Sequence, residues 1–350
     1  MKTIAFYVTD RGFGHLTRSL ALIAKILQKS DHQIYLACGS SQVEYATVFL
    51  NKYKGRVIYK KLKTDCGTRV KENSFEIDIN KTVDKINEFL GLLDGKVAEE
   101  VESLKDLSVS LVICDISIIG IKVAKQLGIK VVGITNYTYY HRYQKLGIDM
   151  ELIKPFLDAY NQLDELYQLA YADDMSYITC PKTQVGMIAR KINQLAVADM
   201  KTRYWPSAFL SIGQIARVEK IHISFTAGNI YATGNLNIDG NAHVIKLPAR
   251  VGHSQDYIAA SSLAIIKPGW SQVAECMISG IPFGIIDVNP IEDGEITEKL
   301  LKENACFYME ASEAENLNIK KLNMRAATTN AKKVNNDAGK IAEMLIGLVN

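Results

Sequence analysis

At 350 residues the chain is longer than a single hydrophobic core usually grows, so length alone points to two domains. Its 48% hydrophobic and 23% charged residues are the balance of an ordinary globular protein, and a net charge of +3 is too small to require nucleic acid as a partner. No stretch approaches the roughly 18 apolar residues of a membrane span, and the N-terminal apolar run breaks at Thr9, Asp10 and Arg11, which reads against a signal peptide and leaves peripheral attachment to a bilayer open.

In chain order, Ile4 to Val8 reads as a strand, a glycine-bearing turn follows, and an apolar periodic run then opens a helix. A strand at Gln33–Ala37, a helix near Gln42–Leu50 and a strand at Arg56–Leu62 continue the alternation, which is the pattern of a parallel sheet covered by helices. Lys63 to Asn80 is polar and mixed, a loop beside the site or plain surface. A long helix is expected from Lys81 to about Leu104, then a buried strand Leu111–Cys114 ending in Asp115, a helix over Ile119–Leu127 and a strand over Lys130–Thr135. The aromatic run Tyr137, Tyr139, Tyr140, His141, Arg142, Tyr143 comes next, followed by an expected helix over Leu152–Ala170 and a strand at Ser176–Thr179.

Thr183 to Pro206 is less periodic, which places the domain boundary near it: 1–205 as one domain, 206–330 as a second, and a terminal helix in 331–350 that could pack back across both. The second series of strands is expected to open with Ile221–Thr226 and to continue at His243–Leu247, Leu263–Ile266 and Pro282–Asp287. The six cysteines, Cys38, Cys66, Cys114, Cys180, Cys276 and Cys306, lie far apart with no CxxC spacing and several sit in apolar runs, as buried free thiols of a reducing cytoplasm would.

Two turns carry chemistry. Gly12 and Gly14 flank Phe13 between the first strand and the first helix, where glycine lets a ligand approach amides at the positive end of the helix. A dinucleotide fingerprint would need a third glycine where Thr17 stands and an acidic residue after the second strand, where Gly39, Ser40 and Ser41 stand instead. What remains is Gly12-x-Gly14-His15-x-x-Arg18, a histidine at the mouth of the turn with an arginine one helical turn on. His15, Asp115 and the tyrosine run all fall at carboxyl ends of strands, where open parallel sheets collect ligands. A neutral imidazole with a reference pKa of ~6.5 suits a general base, Asp115 is the candidate orienting group, and Arg18 either reaches a phosphate or lies on the solvated helix face. The other turn, Lys267-Pro268-Gly269-Trp270-Ser271-Gln272-Val273-Ala274-Glu275, follows an apolar strand and opens a helix at about Ser271. Its helix start offers a diphosphate seat, Lys267 adds a point charge, and Glu275 could accept from both hydroxyls of a ribose.

The Gly12–Arg18 turn resembles the acceptor-side loop of GT-B-fold nucleotide-sugar enzymes, among them the N-acetylglucosaminyltransferase that makes lipid II and the UDP-sugar hydrolase of the pseudaminic acid pathway. The Lys267–Glu275 turn is similar to the donor signature of nucleotide-sugar glycosyltransferases, His-x-Gly-Trp-x-x-x-x-Glu, with Gly269, Trp270 and Glu275 in register and Lys267 in place of the histidine. Gly280-Ile281-Pro282 matches the turn those enzymes place after the helix, and Phe209–Arg217 resembles the segment leading into their donor domain. Asp293 falls where many members carry an Asp-Gln pair for donor-sugar hydroxyls, although Gly294 follows it; Gly228 stands alone where they often carry a doublet or triplet of glycines that contacts phosphate.

The resemblance implies an α/β chain of GT-B fold, two facing Rossmann-like domains with parallel sheets and a cleft between them. It implies a glycosyltransferase that moves a sugar from a nucleotide-diphosphate donor to an unidentified acceptor by an inverting mechanism. No cofactor is expected, and with no Asp-x-Asp in the chain, no metal under the diphosphate. In that scheme His15 and Asp115 are catalytic, Gly12, Phe13, Gly14 and Arg18 form the acceptor or phosphate loop, and Gly228, Lys267, Gly269, Trp270, Ser271 and Glu275 bind the donor nucleotide, with Asp293 on its sugar. Two rivals use the same residues: a nucleotide-sugar hydrolase in which His15 activates water, and a catalytically silent binding module.

Overall fold

A computed structural model describes residues 2–72, 76–212, 220–225, 228–234, 236–248, 252–286 and 290–349, the side chains of 290–293 excepted. The chain divides into two compact units, one formed by 1–70, 77–188 and 337–350, the other by 71–76 and 189–336.

In the first unit the order is β1 (Thr3–Val8), α1 (Gly14–Lys29), β2 (Gln33–Cys38), α2 (Ser40–Phe49), β3 (Val57–Lys61), α3 (Ile79–Leu104), β4 (Val109–Asp115) and α4 (Ile118–Leu127). β5 (Val131–Thr135), α5 (Tyr139–Lys145), α6 (Met150–Tyr160), β6 (Glu165–Leu169) and β7 (Lys182–Val185) complete the run. Among the described residues these strands form one parallel sheet in the order β3-β2-β1-β4-β5-β6-β7. Central strands of such a sheet are covered on both faces, which is why β1 and β5 are apolar without alternation and buried throughout. Ala5, Tyr7, Tyr35, Ala37, Val112 and Cys114 share a core with Ile86, Phe89, Leu93 and Val97 of α3 and with residues of α4 and α6. α1 packs on β1, β2 and the chain's last helix.

Two expectations fail here. The helix foreseen over Leu152–Ala170 ends at Tyr160. The chain turns, Asp164 accepts a hydrogen bond from the Val131 amide (2.7 Å) at the start of β5, and Glu165–Leu169 becomes β6, with Leu166 and Tyr167 buried. The strand foreseen at Ser176–Thr179 is absent because side chains take its amides: Ser176 N donates to Asp174 Oδ1 (2.9 Å) and Thr179 N to Asn161 Oδ1 (2.8 Å).

The second unit contains α7 (Gln194–Tyr204), β8 (Ser207–Ser211), β9 (Ile221–Ser224), β10 (Asn229–Thr233), β11 (Ile238–Gly240), β12 (His243–Leu247), α8 (Ser254–Ala260) and β13 (Leu263–Ile266). It continues with α9 (Trp270–Ser279), β14 (Phe283–Ile286), α10 (Pro290–Lys302), β15 (Phe307–Met309), β16 (Asn316–Asn318) and α11 (Ile319–Ala326); α12 (Ala338–Gly347) returns to the first unit, against α1. Its main sheet is parallel, in the order β12-β10-β8-β13-β14-β15. The series therefore opens at β8 and not at Ile221. β9 pairs instead with β11 and β16 in a separate three-stranded sheet, a choice made by long-range partners that local composition does not reveal. The division between units falls at Ile188/Ala189, ahead of the expected 205/206, since α7 packs on α8 through Val197, Ala259 and Ala260.

Among the described residues no helix is long and apolar enough to cross a membrane. All six cysteines are free thiols; burial pushes those of Cys38, Cys66 and Cys306 up to about 12, so none of these three is a nucleophile near neutrality.

Candidate functional site

In the first unit the carboxyl ends of β1, β4 and β5 bring together His15, Arg18, Asp115 and Asn136. Gly12, with φ of +68° and open space where a Cβ would stand, bends the chain between β1 and α1. Gln42 clamps that bend: its Nε2 donates to the carbonyls of Thr9 (3.0 Å) and Gly12 (2.6 Å), while its Oε1 accepts from the Gly39 amide (2.9 Å). Phe13 meets Tyr45 edge-on at 5.6 Å, and Gly14 begins the helix that carries His15 and Arg18 one turn apart.

His15 Nδ1 lies 2.9 Å from Asp115 Oδ1 and 2.7 Å from Arg18 Nη2. Arg18 Nε donates to Asp115 Oδ2 (2.7 Å), Nη2 to Oδ1 (2.5 Å) and Nη1 to Asn136 Oδ1 (2.6 Å). The guanidinium is therefore not on the solvated helix face, which is one reading of its spacing. Its side chain is 2% exposed and engaged by the carboxylate that faces His15. His15 Nδ1 thus faces both a carboxylate, which can only accept, and a guanidinium, which can only donate; the tautomer with its proton on Nδ1 pairs with Asp115 and leaves Nε2 as the basic nitrogen.

Burial, then the Arg18 charge, push the His15 imidazole below its ordinary 6.5 against the opposing pull of Asp115, so the ring is neutral at pH 7. Burial alone would raise the Asp115 carboxyl; the Arg18 charge and His15 outweigh it and hold the group below 3.8. After Asp115 the backbone enters the left-handed region at Ile116 (φ +71°), an uncommon conformation for a β-branched residue, and the Ile116 carbonyl accepts from Tyr160 Oη at 2.8 Å.

The tyrosine run packs around this group. Tyr137 meets His15 edge-on at 5.4 Å between ring centres and lies under the Arg142 guanidinium at 3.5 Å, while Tyr139 stacks on Tyr143. These rings are buried. The foreseen loop at 63–80 contributes Asp65, which is fully buried with neither carboxylate oxygen hydrogen-bonded; burial, then the neighbouring Asp10 charge, raise its pKa well above 3.8.

In the second unit the Lys267–Glu275 segment follows a strand and turns into a helix, as its residues suggest. Gly269 precedes α9, the Lys267 amide donates to the Ser211 carbonyl of β8 (3.1 Å), and α9 ends at Gly280 in the left-handed region (φ +71°). Gln272 Nε2 ties the first turn of α9 to Ser211 Oγ (2.6 Å), to which Thr233 Oγ1 also donates (2.8 Å). Lys267 and Ser271 are half-buried, whereas Trp270 is 5% exposed and offers little ring surface to a ligand. Glu275 is buried and engaged: Arg190 Nη2 donates to Oε1 (2.6 Å) and Ser254 Oγ to Oε2 (3.0 Å). Gly228 has a packing reason to be glycine, since a Cβ there would lie 2.3 Å from the Phe225 ring and 2.5 Å from the Pro206 carbonyl oxygen. The Asp293 side chain, and residues 213–217 of the segment that begins at Phe209, lie outside the described residues.

Asn136, Gln42, Arg190 and Ser254 were not anticipated. Asn136 follows the last residue of β5, where the strand-end rule that singled out Asp115 would have found it. Arg190 and Ser254 have no local signal; their partners lie 85 and 21 residues away in sequence.

No protein-family model matches the chain. It is 20% identical over 325 residues, 86% of its length, to a protein named L-arabinokinase from Arabidopsis thaliana, of which it spans 30%. Among solved structures, UGT2 of Phytolacca americana, complexed with UDP-2fluoro-glucose and pterostilbene, superposes with a TM-score of 0.61 at 12% identity, covering 100% of this chain and 94% of that one. UGT71G1 of Medicago truncatula, complexed with UDP-glucose, gives 0.61 at 10% identity over 100% and 98%. CalG4, the calicheamicin glycosyltransferase, gives 0.61 at 12% identity over 100% and 95%. The chain has the GT-B fold of these glycosyltransferases: two Rossmann-like α/β units, each built on a parallel sheet.

Proposed function

We propose that the chain is a glycosyltransferase that moves a sugar from a nucleotide-diphosphate donor to an acceptor hydroxyl, with inversion and without a metal. The reading is carried by the His15–Asp115–Arg18 group: a neutral imidazole whose Nδ1 is held by a buried carboxylate, itself kept charged by a buried guanidinium. His15 Nε2 takes the proton of the acceptor hydroxyl as its oxygen bonds to the anomeric carbon and the bond from that carbon to the diphosphate breaks. The nucleoside diphosphate leaves with the electron pair, and its charge is met at the start of α9 and by Lys267. Glu275 takes the ribose, and Asp293 the donor sugar. The solved relatives bound to UDP-sugars support a nucleotide sugar as co-substrate. The curated relative acts, by its name, on L-arabinose, and lends the donor assignment no support of its own.

A thermal-shift screen of UDP, GDP, ADP, CDP and dTDP identifies the base, since a ligand that binds the folded state raises its melting temperature. The matching nucleotide sugars are then incubated with wild type and His15→Ala, with and without candidate acceptors. Sugar transfer that is lost in His15→Ala supports the reading. Rapid acceptor-independent sugar release assigns the same histidine to hydrolysis. Nucleotide binding with no turnover, unaltered by His15→Ala, identifies a binding module.

A further inference from the structure

Three side chains of the second unit close a hydrogen-bonded ring. Arg190 Nη2 donates to Glu275 Oε1 and to Ser254 Oγ, both at 2.6 Å, and Ser254 Oγ donates to Glu275 Oε2 at 3.0 Å. Arg190 Nη1 reaches the Gly252 carbonyl at 2.6 Å. The segment around Arg190 is itself pinned: the Asn193 amide donates to Asp256 Oδ1 (2.8 Å) and Asn336 Nδ2 to the Ala189 carbonyl (2.7 Å). The Arg190 and Glu275 side chains are 2% and 4% exposed.

A buried ion pair is a poor stabilising device, because desolvating two charges offsets much of their attraction and apolar residues of similar volume hold a core as well. Its geometry offers another use. A carboxylate has about four acceptor positions, two on each oxygen. The ring takes one on each oxygen, and the second position on each is what a vicinal diol requires.

We propose that Arg190, acting with Ser254, is a positioning residue for the nucleotide: it fixes the plane of the Glu275 carboxylate so that both oxygens accept from the 2′ and 3′ hydroxyls of a ribose. This rests on the reading of Glu275 as a ribose ligand. Lysine could not replace it, since only a planar fork meets a carboxylate, a hydroxyl and a carbonyl at once. Preference for ribonucleotides over 2′-deoxyribonucleotides is then a property of the ring and not of Glu275 alone.

The test is calorimetric titration of UDP, GDP, ADP and CDP against their 2′-deoxy counterparts, on wild type, Arg190→Met, Arg190→Lys and Ser254→Ala. Wild type should bind at least one ribonucleotide about tenfold more tightly than its deoxy form, the worth of one good hydrogen bond. Arg190→Met and Ser254→Ala should bring that ratio to within about twofold, the ribonucleotide losing both diol bonds and the deoxynucleotide only the one from its 3′ hydroxyl, and Arg190→Lys should fall between. Ser254→Ala, a small change, keeps the test open should Arg190→Met not fold. A wild type that discriminates, with the ratio unchanged in the variants that fold, overturns the role of Arg190 and Ser254 while leaving the ribose reading intact. A wild type that binds both forms equally, or none of the nucleotides, overturns the ribose reading and this proposal with it.

Discussion

Arg18 and Asp115 are joined inside the first unit by two hydrogen bonds, Nε to Oδ2 at 2.7 Å and Nη2 to Oδ1 at 2.5 Å, between side chains that are 2% and 4% exposed. The pair links the first helix to the end of β4, and it faces the one imidazole that the proposed chemistry needs.

Breaking the pair from one side strands a charge where water cannot reach it. Arg18→Met should destabilise the protein by about 3–5 kcal/mol, because the Asp115 carboxylate is left buried without a counter-charge. Arg18→Lys, which keeps the charge and loses the fork, should cost less. Denaturant titration measures both, and a loss below about 1 kcal/mol in Arg18→Met, the worth of an exposed pair, would contradict the buried placement.

The same group sets a pH dependence. His15 is held below 6.5 by burial and by the Arg18 charge. A general base must be unprotonated, so turnover should persist below pH 6.5 and fall only as the medium approaches the lowered value. Stability follows the same sign: the unfolded imidazole takes a proton at about 6.5 and the folded one does not, so the contribution of His15 is complete above pH 6.5 and declines as the pH drops below it. A pH–rate profile with its acidic limb at or above 6.5 would show that the imidazole is not in the environment described.

The glycine turn, His15 and Asp115 are legible in the sequence because each sits where a short apolar run stops, and strand ends in parallel sheets are local signals. Arg18 is visible by spacing, but its direction is not: helical periodicity puts it on the α1 face, and only the arrival of β4, 97 residues later, decides that this face is buried. Glu275 is found by its motif, whereas Arg190 comes from a stretch whose helix, α7, buries only Val197 and so lacks an apolar stripe. β6 is hidden for a related reason, its five residues being read as the tail of a helix that Asn161–Asp164 in fact terminates.

Asp65 is a carboxyl that folding makes harder to ionise. Burial and the Asp10 charge raise its pKa well above 3.8, so the folded state keeps a proton that the unfolded state releases, and stability falls as the pH rises from about 3.8 towards the folded value. Asp65→Asn removes the ionisation and should stabilise the protein at pH 7, where the unfolded aspartate is charged and the folded one resists ionising. The gain should shrink below about pH 4, where the aspartate is protonated in both states. Thermal melts of both proteins at pH 7 and at pH 4 check this; equal gains at the two values would mean that the proton is not the cause.

Gly228 and Gly12 separate two uses of glycine. A Cβ at Gly228 would press on the Phe225 ring at 2.3 Å and on the Pro206 carbonyl oxygen at 2.5 Å. Gly228→Ala should therefore cost about 1–3 kcal/mol from overpacking. Gly12→Ala meets no atom and should lose about 1–2 kcal/mol through the left-handed backbone alone. The distinguishing measurement is nucleotide titration of the folded variants. If the Gly228 loop contacts phosphate, its alanine variant loses affinity; if the glycine serves packing only, affinity is kept while the melting temperature falls.

Glu275 carries two loads, and its substitutions should part them. Glu275→Ala leaves the Arg190 guanidinium buried without its carboxylate, which should cost the second unit about 3–5 kcal/mol. The same change removes both proposed ribose acceptors and should weaken nucleotide binding by about 1–3 kcal/mol. Glu275→Gln keeps the size and one acceptor oxygen but places an amide against the 2.6 Å donor Nη2 or the Ser254 hydroxyl. It should recover packing while still leaving the arginine without a counter-charge, so its stability falls between wild type and Glu275→Ala. Denaturation and nucleotide titration on the two variants give four numbers, and undiminished affinity in Glu275→Ala under conditions where it is folded would confine this residue to holding Arg190.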